Sequence, residues 1–349
     1  MSTNNDKQNA LALDEVGDNA IESKETEGLS QGKIVLRKFL RHKGAMISIV
    51  VLVLVAIFAF SAQGFAGIPG WWKFSHTASG PVVNPGGAPT WSFANFFSLG
   101  DHPFGQDEIG RDNFARVMKG TQISLVVMFI IGIVCLIIGT VIGAVAGYYR
   151  GWVDSVLMRI TDGFVILPVI VVGSILGVLV GGANGPLLGV ALGCILWVGL
   201  ARLVRGDFMS LREREFVDSA RVAGASDFRI MFKHMLPNAV GVIIVNATLL
   251  MASAILLETA LSYLGFGINS PEVSLGQLIN EYQTAFATRP WLFWWPGLFI
   301  VIIALCVNFI GDGLRDAFDP RQRRIPTARA LAKADRRKQR AEQRAAAKA

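Results

Sequence analysis

Six runs of mostly apolar residues mark this 349-residue chain, at 45–62, 123–148, 156–180, 187–204, 239–259 and 292–310. Each approaches or exceeds the roughly 20 residues that an α-helix needs to cross the hydrocarbon core of a bilayer. The pattern predicts an all-α, polytopic membrane protein with six transmembrane helices. The first run does not read as a cleavable leader. It begins too far into the chain, is too long, and ends at Ser61-Ala62-Gln63 with further spans to follow. Composition agrees: 52% of residues are apolar and 17% charged, with a mean hydropathy of +0.47, whereas a soluble domain is about a quarter charged.

Charge placement orients the spans. Lys33, Arg37, Lys38, Arg41 and Lys43 precede the first; Arg205, Arg212, Arg214, Arg221, Arg229 and Lys233 lie between the fourth and fifth; Lys and Arg are dense from Arg315 onward. The third connection, around 181–185, is uncharged, and the fifth has Arg289 as its one basic residue. The first connection is long, and long loops weigh little in the positive-inside rule. Both termini and the fourth connection are therefore expected in the cytoplasm. The net charge of +7 belongs to topology and does not point to nucleic acid. The predicted organisation is an acidic, disordered tail (1–32), a juxtamembrane segment with the first span (33–62), an extracytoplasmic loop (63–122), a core of five spans (123–314) and a basic tail (315–349). The last part of that tail, 328–349, is a solvated segment or a basic helix at anionic lipid headgroups.

The fourth connection, 205–238, is the most distinctive segment. Residues 211–223 lack Gly and Pro and read as a helix, which Gly224 ends at its C′ position. Ser226 or Asp227 is placed to cap a second helix reaching Leu236, and Pro237 to stop it. Small residues at the corner (Ala220, Ala223, Gly224, Ala225, Ser226) let another surface approach the backbone. Phe216, Phe228 and Phe232 are candidate anchors to the membrane domain. An interfacial amphipathic hairpin is the plainer alternative.

The spacing Asp218-Ser219-Ala220-x3-Gly224-x9-His234-Met-Leu236-Pro237 resembles the "EAA" loop of permease subunits of ATP-binding-cassette importers. His102-Pro-Phe-Gly105-Gln-Asp107-Glu-Ile-Gly110-Arg111-Asp112, Ser262-Tyr-Leu-Gly265-Phe-Gly267 and Gly311-Asp312-Gly313-Leu-Arg315-Asp316 are similar to the dipeptide and oligopeptide branch of that family. The likeness covers about residues 33–325, and the order of motifs looks most like the C-type permease. It implies a type I importer permease fold with a cytoplasmic coupling elbow. The implied partners are a second homologous permease, two cytoplasmic ATP-binding subunits that bind ATP and Mg, an external substrate-binding protein, and membrane lipid. Asp218 stands where the family usually has glutamate, and Ser219 where alanine is usual. The shorter Asp218 puts direct pairing across the interface in question.

No cofactor, metal or catalytic constellation is expected in this chain. Gly32-Lys33-Ile34 lacks the Ser/Thr of a phosphate-binding loop, and His42, His76, His102 and His234 have no motif partner. Cys135, Cys194 and Cys306 read as small buried residues. An ionised group at mid-membrane costs about 2.5–3.5 kcal/mol, so polar residues within spans are candidates for the translocation path or gate. Arg159 and Asp162 are spaced to pair on one helix face, with Pro168 as a kink. Asn246 and Asn308 are read as interhelical hydrogen-bonding groups or pore lining. Glu258 is placed near the outer entrance. Gly132, Gly139, Gly143 and Gly147 predict close helix packing. In the outer loop, Trp71, Trp72, Trp91 and Phe96-Phe97 are interfacial or mouth-packing residues, some of them candidate contacts for the binding protein. Alternatives are an importer of nickel chelates, glutathione or another small solute, and a secondary carrier. The carrier is disfavoured by the lack of a repeat and a mid-depth acid.

Overall fold

The computed structural model describes residues 31–65, 67–90, 100–180, 182 and 184–319. The two tails, Trp91 and Phe96-Phe97 lie outside the described residues. The helices are α1 (Gln31–Arg41), α2 (Lys43–Gln63), α3 (Asn113–Tyr149), α4 (Gly151–Ile166), α5 (Val169–Val180), α6 (Gly185–Leu196), α7 (Val198–Arg212), α8 (Glu215–Val222), α9 (Leu236–Tyr263), α10 (Leu275–Tyr282) and α11 (Pro290–Phe318). A two-residue-per-strand hairpin, Gly64–Phe65 with Ile68–Pro69, follows α2. Among the described residues four helices are long and apolar enough to cross a membrane, and two bent pairs bring the number to six if each pair is one span.

Those bends correct two of the predicted spans. The third, 156–180, is broken into α4 and α5 at an angle of 86°. The proline ring at Pro168 disfavours the helical conformation for the residue before it, and Leu167 is extended at φ −77°, ψ 126°. The fourth is bent by 45° between α6 and α7, where the indole of buried Trp197 donates to the Cys194 carbonyl. Cys135 and Cys306 are buried as expected, but Cys194 is exposed.

Helix α3 organises the molecule. At 37 residues and 1.5 Å per residue it is about 55 Å long, well beyond the bilayer core. It begins ten residues before the predicted start at 123 because Asn113–Gln122 pack into the outer loop rather than lipid. Its glycines take α7 at backbone distance: a Cβ on Gly143 would lie 2.5 Å from the Ala201 carbonyl oxygen, and one on Gly147 2.6 Å from that of Arg205. Gly139 faces Leu200 in the same row, while Gly132 takes Met251 of α9. With no hydrophobic drive between helices in lipid, such close contact is what dispersion attraction requires. On its other flank α3 packs with α2, α9 and α10 around Phe114, Met118, Leu125, Ile255, Leu278 and Ile303.

Asp112 fastens the start of α3. Its carboxylate caps the helix through Ala115 N–H at 2.8 Å, accepts the Trp72 indole N–H at 2.8 Å, and meets His102 Nδ1 at 2.8 Å. Trp72 is thereby a packing residue against Phe114, at 4.4 Å between ring centres. Trp71 is more than half exposed and donates to Ser61. Losing a capping carboxylate costs about 0.5–2 kcal/mol, and two further donors would be orphaned. Asp112→Ala should therefore lower the melting temperature of the purified protein and raise proteolysis of the outer loop, whereas Asp112→Asn should recover most of the loss.

Candidate functional site

The elbow between α7 and α9 is shorter and stiffer than the sequence suggests. The expected helix 211–223 is interrupted, because α7 ends at Arg212 and Arg214 is extended at φ −90°, ψ 143°. The presenting helix is α8, eight residues long. Gly224 ends it with φ +78°. Its N–H donates to the Arg221 carbonyl and that of Ala225 to the Ala220 carbonyl, both at 3.0 Å. This is the paired bond pattern of a Schellman turn.

Ser226 takes the N-cap position of the next turn without a side-chain hydrogen bond. Asp227 instead accepts from the Tyr148 hydroxyl at 2.7 Å, tying the elbow to the end of α3. Pro237 does not stop a helix. The π-helical stretch Ile230–Met235 runs into α9 without a break, so Pro237, in the first turn of α9, lies inside a continuous helix and forgoes one helical bond there. Leu236 is half-buried against the core beside it.

The anchors are Val217, Ile230, Met231 and Met235, all buried against Tyr148, Val204 and Phe208. Of the three phenylalanines expected in that role, only Phe232 packs partly against this cluster. Phe216 is exposed, and Phe228, 69% exposed, lies tilted against Phe232 with ring centres 4.5 Å apart. Val222 is 90% exposed. Ala220, Ala223 and Ala225 line a shallow depression of about 310 Å³ with Arg229, Lys233 and His234. Ser219 bonds back to the Glu215 carbonyl, and Asp218 pairs with Arg221 of its own helix at 3.0 Å. At the base of the elbow Arg205 grips Asp154 at 2.5 Å and Arg150 grips Glu213 at 2.7 Å. A rigid, apolar and basic knob thus projects from three helix ends.

The in-span polar residues distribute differently from expectation. Asp162 pairs with Arg202 of α7 at 2.6 Å, not with Arg159, which is exposed. The pair therefore staples α4 to α7. Asn246 and Asn308 donate to the carbonyls four residues back in their own helices, Val242 and Ala304, and Asn308 is exposed; of the two readings, interhelical bonding is not seen for either among the described residues. Glu258 is 0% exposed and does not face an entrance. Its two oxygens accept from Ser124 of α3 at 3.0 Å and Ser262 at 2.8 Å. Ser262 in turn accepts the Ile268 N–H, closing the Gly265–Gly267 turn.

A second charged cluster, only half visible in the sequence, lies at the opposite end of α3. Asp107 accepts from Arg111 Nε at 2.5 Å, Arg116 Nη1 at 3.4 Å and the Tyr282 hydroxyl at 3.2 Å. Arg116, 2% exposed, also holds Glu281 at 2.6 Å, and Arg111 bonds the same carboxylate. The His102–Asp112 motif marked Asp107 and Arg111. Nothing local marked Glu281, which lies 165 residues beyond Arg116.

Burial alone would raise the Glu281 carboxyl, but bonding and attraction from Arg116 and Arg111 outweigh it and hold it below its ordinary value of 4.5. A depressed folded value adds stability above the unfolded one and loses it as pH falls through the folded one. Hydrogen-exchange protection of α10 should thus hold from pH 7 to 5, fall below pH 4.5, and show a smaller acid step in Glu281→Gln.

The fold defines a multi-span membrane component from which one loop projects. Residues 139–324 match the binding-protein-dependent transport system inner membrane component family, and residues 30–76 match the N-terminal TM domain of oligopeptide transport permease C. The chain belongs to the binding-protein-dependent transport system inner membrane component family. The oligopeptide transport system permease protein OppC of Mycobacterium tuberculosis (strain ATCC 25618 / H37Rv) is 35% identical over 301 residues, 86% of this chain and 98% of that one. The protein of the same name in Escherichia coli (strain K12) is 38% identical over 320 residues, 91% of this chain and 99% of its own. A solved inward-facing MetNI methionine ABC transporter is similar at a TM-score of 0.47 and 21% identity, over 57% of this chain and 95% of that one.

Proposed function

We propose that this chain is the permease subunit of an ATP-driven importer of dipeptides or oligopeptides. It forms half of the translocation path beside a second, homologous permease. Its relatives' shared name supports the cargo. The asymmetry of Lys and Arg supports cytoplasmic termini and a cytoplasmic elbow. In this reading ATP and Mg are bound and turned over by two cytoplasmic partner subunits, an external binding protein delivers the peptide, and this chain performs no chemistry.

The observation that carries the coupling role is the elbow itself: exposed Val222 and Phe228 on a segment whose other face is locked into the core. Apolar side chains presented rigidly outside the bilayer suit a protein partner. A force on α8 passes through Val217, Ile230 and Met235 to the ends of α3, α7 and α9, so closure of the ATPase pair tilts helices as bodies, which is a two-state gate biased by a ligand.

The test is affinity purification of the tagged chain from its native membrane, followed by mass spectrometry and uptake assays on the reconstituted complex. A stoichiometric second permease with ATPases, and ATP-dependent peptide uptake, is the expected result. A lone chain or homo-oligomer would overturn the importer, and uptake of chelated nickel or glutathione in place of peptides would change the cargo.

A further inference from the structure

The π-helical stretch between the elbow corner and α9 sorts its side chains sharply. Ile230, Met231 and Met235 are buried in the core, while Arg229 and Lys233 are exposed and His234 is half-buried. A π-turn bonds i to i+5 and takes more residues than an α-turn, so positions four and five apart share one side. Arg229, Lys233 and His234 have that spacing, and so do the buried Ile230, Met231 and Met235. π-Turns are rare and concentrate at functional sites. Here the wide turn sets two cations beside Ala220, Ala223 and Ala225, around the depression of about 310 Å³.

Those cations are unmatched. Arg229 and Lys233 are left without a carboxylate among the described residues, whereas Asp218 is taken by Arg221, Glu213 by Arg150 and Asp227 by the Tyr148 hydroxyl. Val222 and Phe228 are exposed apolar side chains of the same knob. A surface with exposed apolar residues and a cationic hollow fits a protein face that carries a protruding acid. A bilayer offers its anionic charge as a broad plane, which does not enter a hollow; a single Asp or Glu side chain does.

We propose that this hollow is a specificity socket, which receives an aspartate or glutamate side chain of the ATPase's docking surface between Arg229 and Lys233. It rests on the reading of the elbow as the ATPase-coupling loop and names the chemistry that the cognate ATPase carries. Charge pairing at an interface acts on recognition and association rate more than on total affinity, and a like charge at the same place rejects a wrong partner. An ATPase with lysine or arginine at that position is therefore refused, while the apolar contacts of Val222 and Phe228 hold without discriminating.

The experiment uses the ATPase that co-purifies with the tagged chain, and the permease pair in nanodiscs of phosphatidylcholine. Carbodiimide joins a lysine amine to a touching carboxylate, so the wild-type complex should yield a cross-linked peptide between Lys233 and an Asp or Glu of the ATPase. Arg229→Gln with Lys233→Gln should weaken ATPase binding about tenfold at about 0.05 M salt, and by much less at about 0.5 M, where exposed charges are screened. Lys33→Gln with Lys38→Gln, on an exposed side of α1, is the control and should leave binding unchanged. Lys233→Glu should recover its loss when the cross-linked acid of the ATPase is changed to lysine, the signature of one shared contact. Unchanged affinity in the Arg229 and Lys233 variant overturns the socket, as does cross-linking of Lys233 solely to carboxylates of this chain. A loss that appears only after phosphatidylglycerol is added to the nanodiscs assigns the two cations to lipid and overturns it as well. Wild type that carries no ATPase removes the coupling role itself, whereas ATPase held equally by wild type and variant removes the socket alone.

Discussion

Gly224→Val should abolish peptide uptake and loosen the ATPase subunits while leaving the protein inserted and its helices intact. The reason is conformational, because a Cβ at this position meets nothing within 4 Å. Gly224 sits at φ +78°, and an L-residue in that region costs roughly 1–2 kcal/mol, more for a β-branched one. The turn that directs α8 away from Ile230–Met235 would be depopulated by about 5- to 30-fold, and the added side chain would stand in open space on the outer face of the corner. Gly224→Asn separates the two effects, since asparagine tolerates this conformation. If the turn alone matters, Asn restores uptake; if close approach matters as well, both variants fail. Co-purification of ATPase and uptake into vesicles are the readouts. Full uptake in Gly224→Val would sink the coupling role of the elbow.

Gly143→Leu should have the largest effect on stability. Its Cβ would lie 2.5 Å from the Ala201 carbonyl oxygen and 2.7 Å from Val204 Cβ. The first of these is backbone and cannot rotate away, so α3 and α7 must separate along the whole glycine row. Overpacking typically costs 1–3 kcal/mol, roughly, and here the strain also reaches the Phe208 and Val217 layer beneath the elbow. Gly163→Leu on α4 is the control, because nothing lies within 4 Å of its Cβ. Melting of the detergent-purified protein should drop sharply for the first and little for the second. Equal melting temperatures would mean that the glycine row does not set the spacing of α3 and α7.

Which features the sequence determined follows from how local their causes are. Bilayer thickness imposes one length on every spanning helix, so six apolar runs were legible without any contact being known. Gly224 was legible because a helix C-terminus needs one residue with positive φ, and the glycines of α3 because helices in lipid meet through small residues.

Tertiary structure decided the rest. Whether Pro168 kinks or breaks its span depends on what supports the freed backbone, and it breaks it by 86°. Pro237 reads as a stop from its ring, yet the π-helical stretch before it carries the helix through into α9. Asp162 had a partner three residues away and took Arg202 forty residues on, because α7 lies beside α4. Glu258 looked like an entrance residue from its depth, yet Ser124, 134 residues earlier in the chain, buries it. The wall of an outer cavity joins residues near 76, 111 and 272–281. Ion pairs and cavities belong to distances through space, which a periodic pattern along the chain does not encode; the pattern fixes only which faces must be buried.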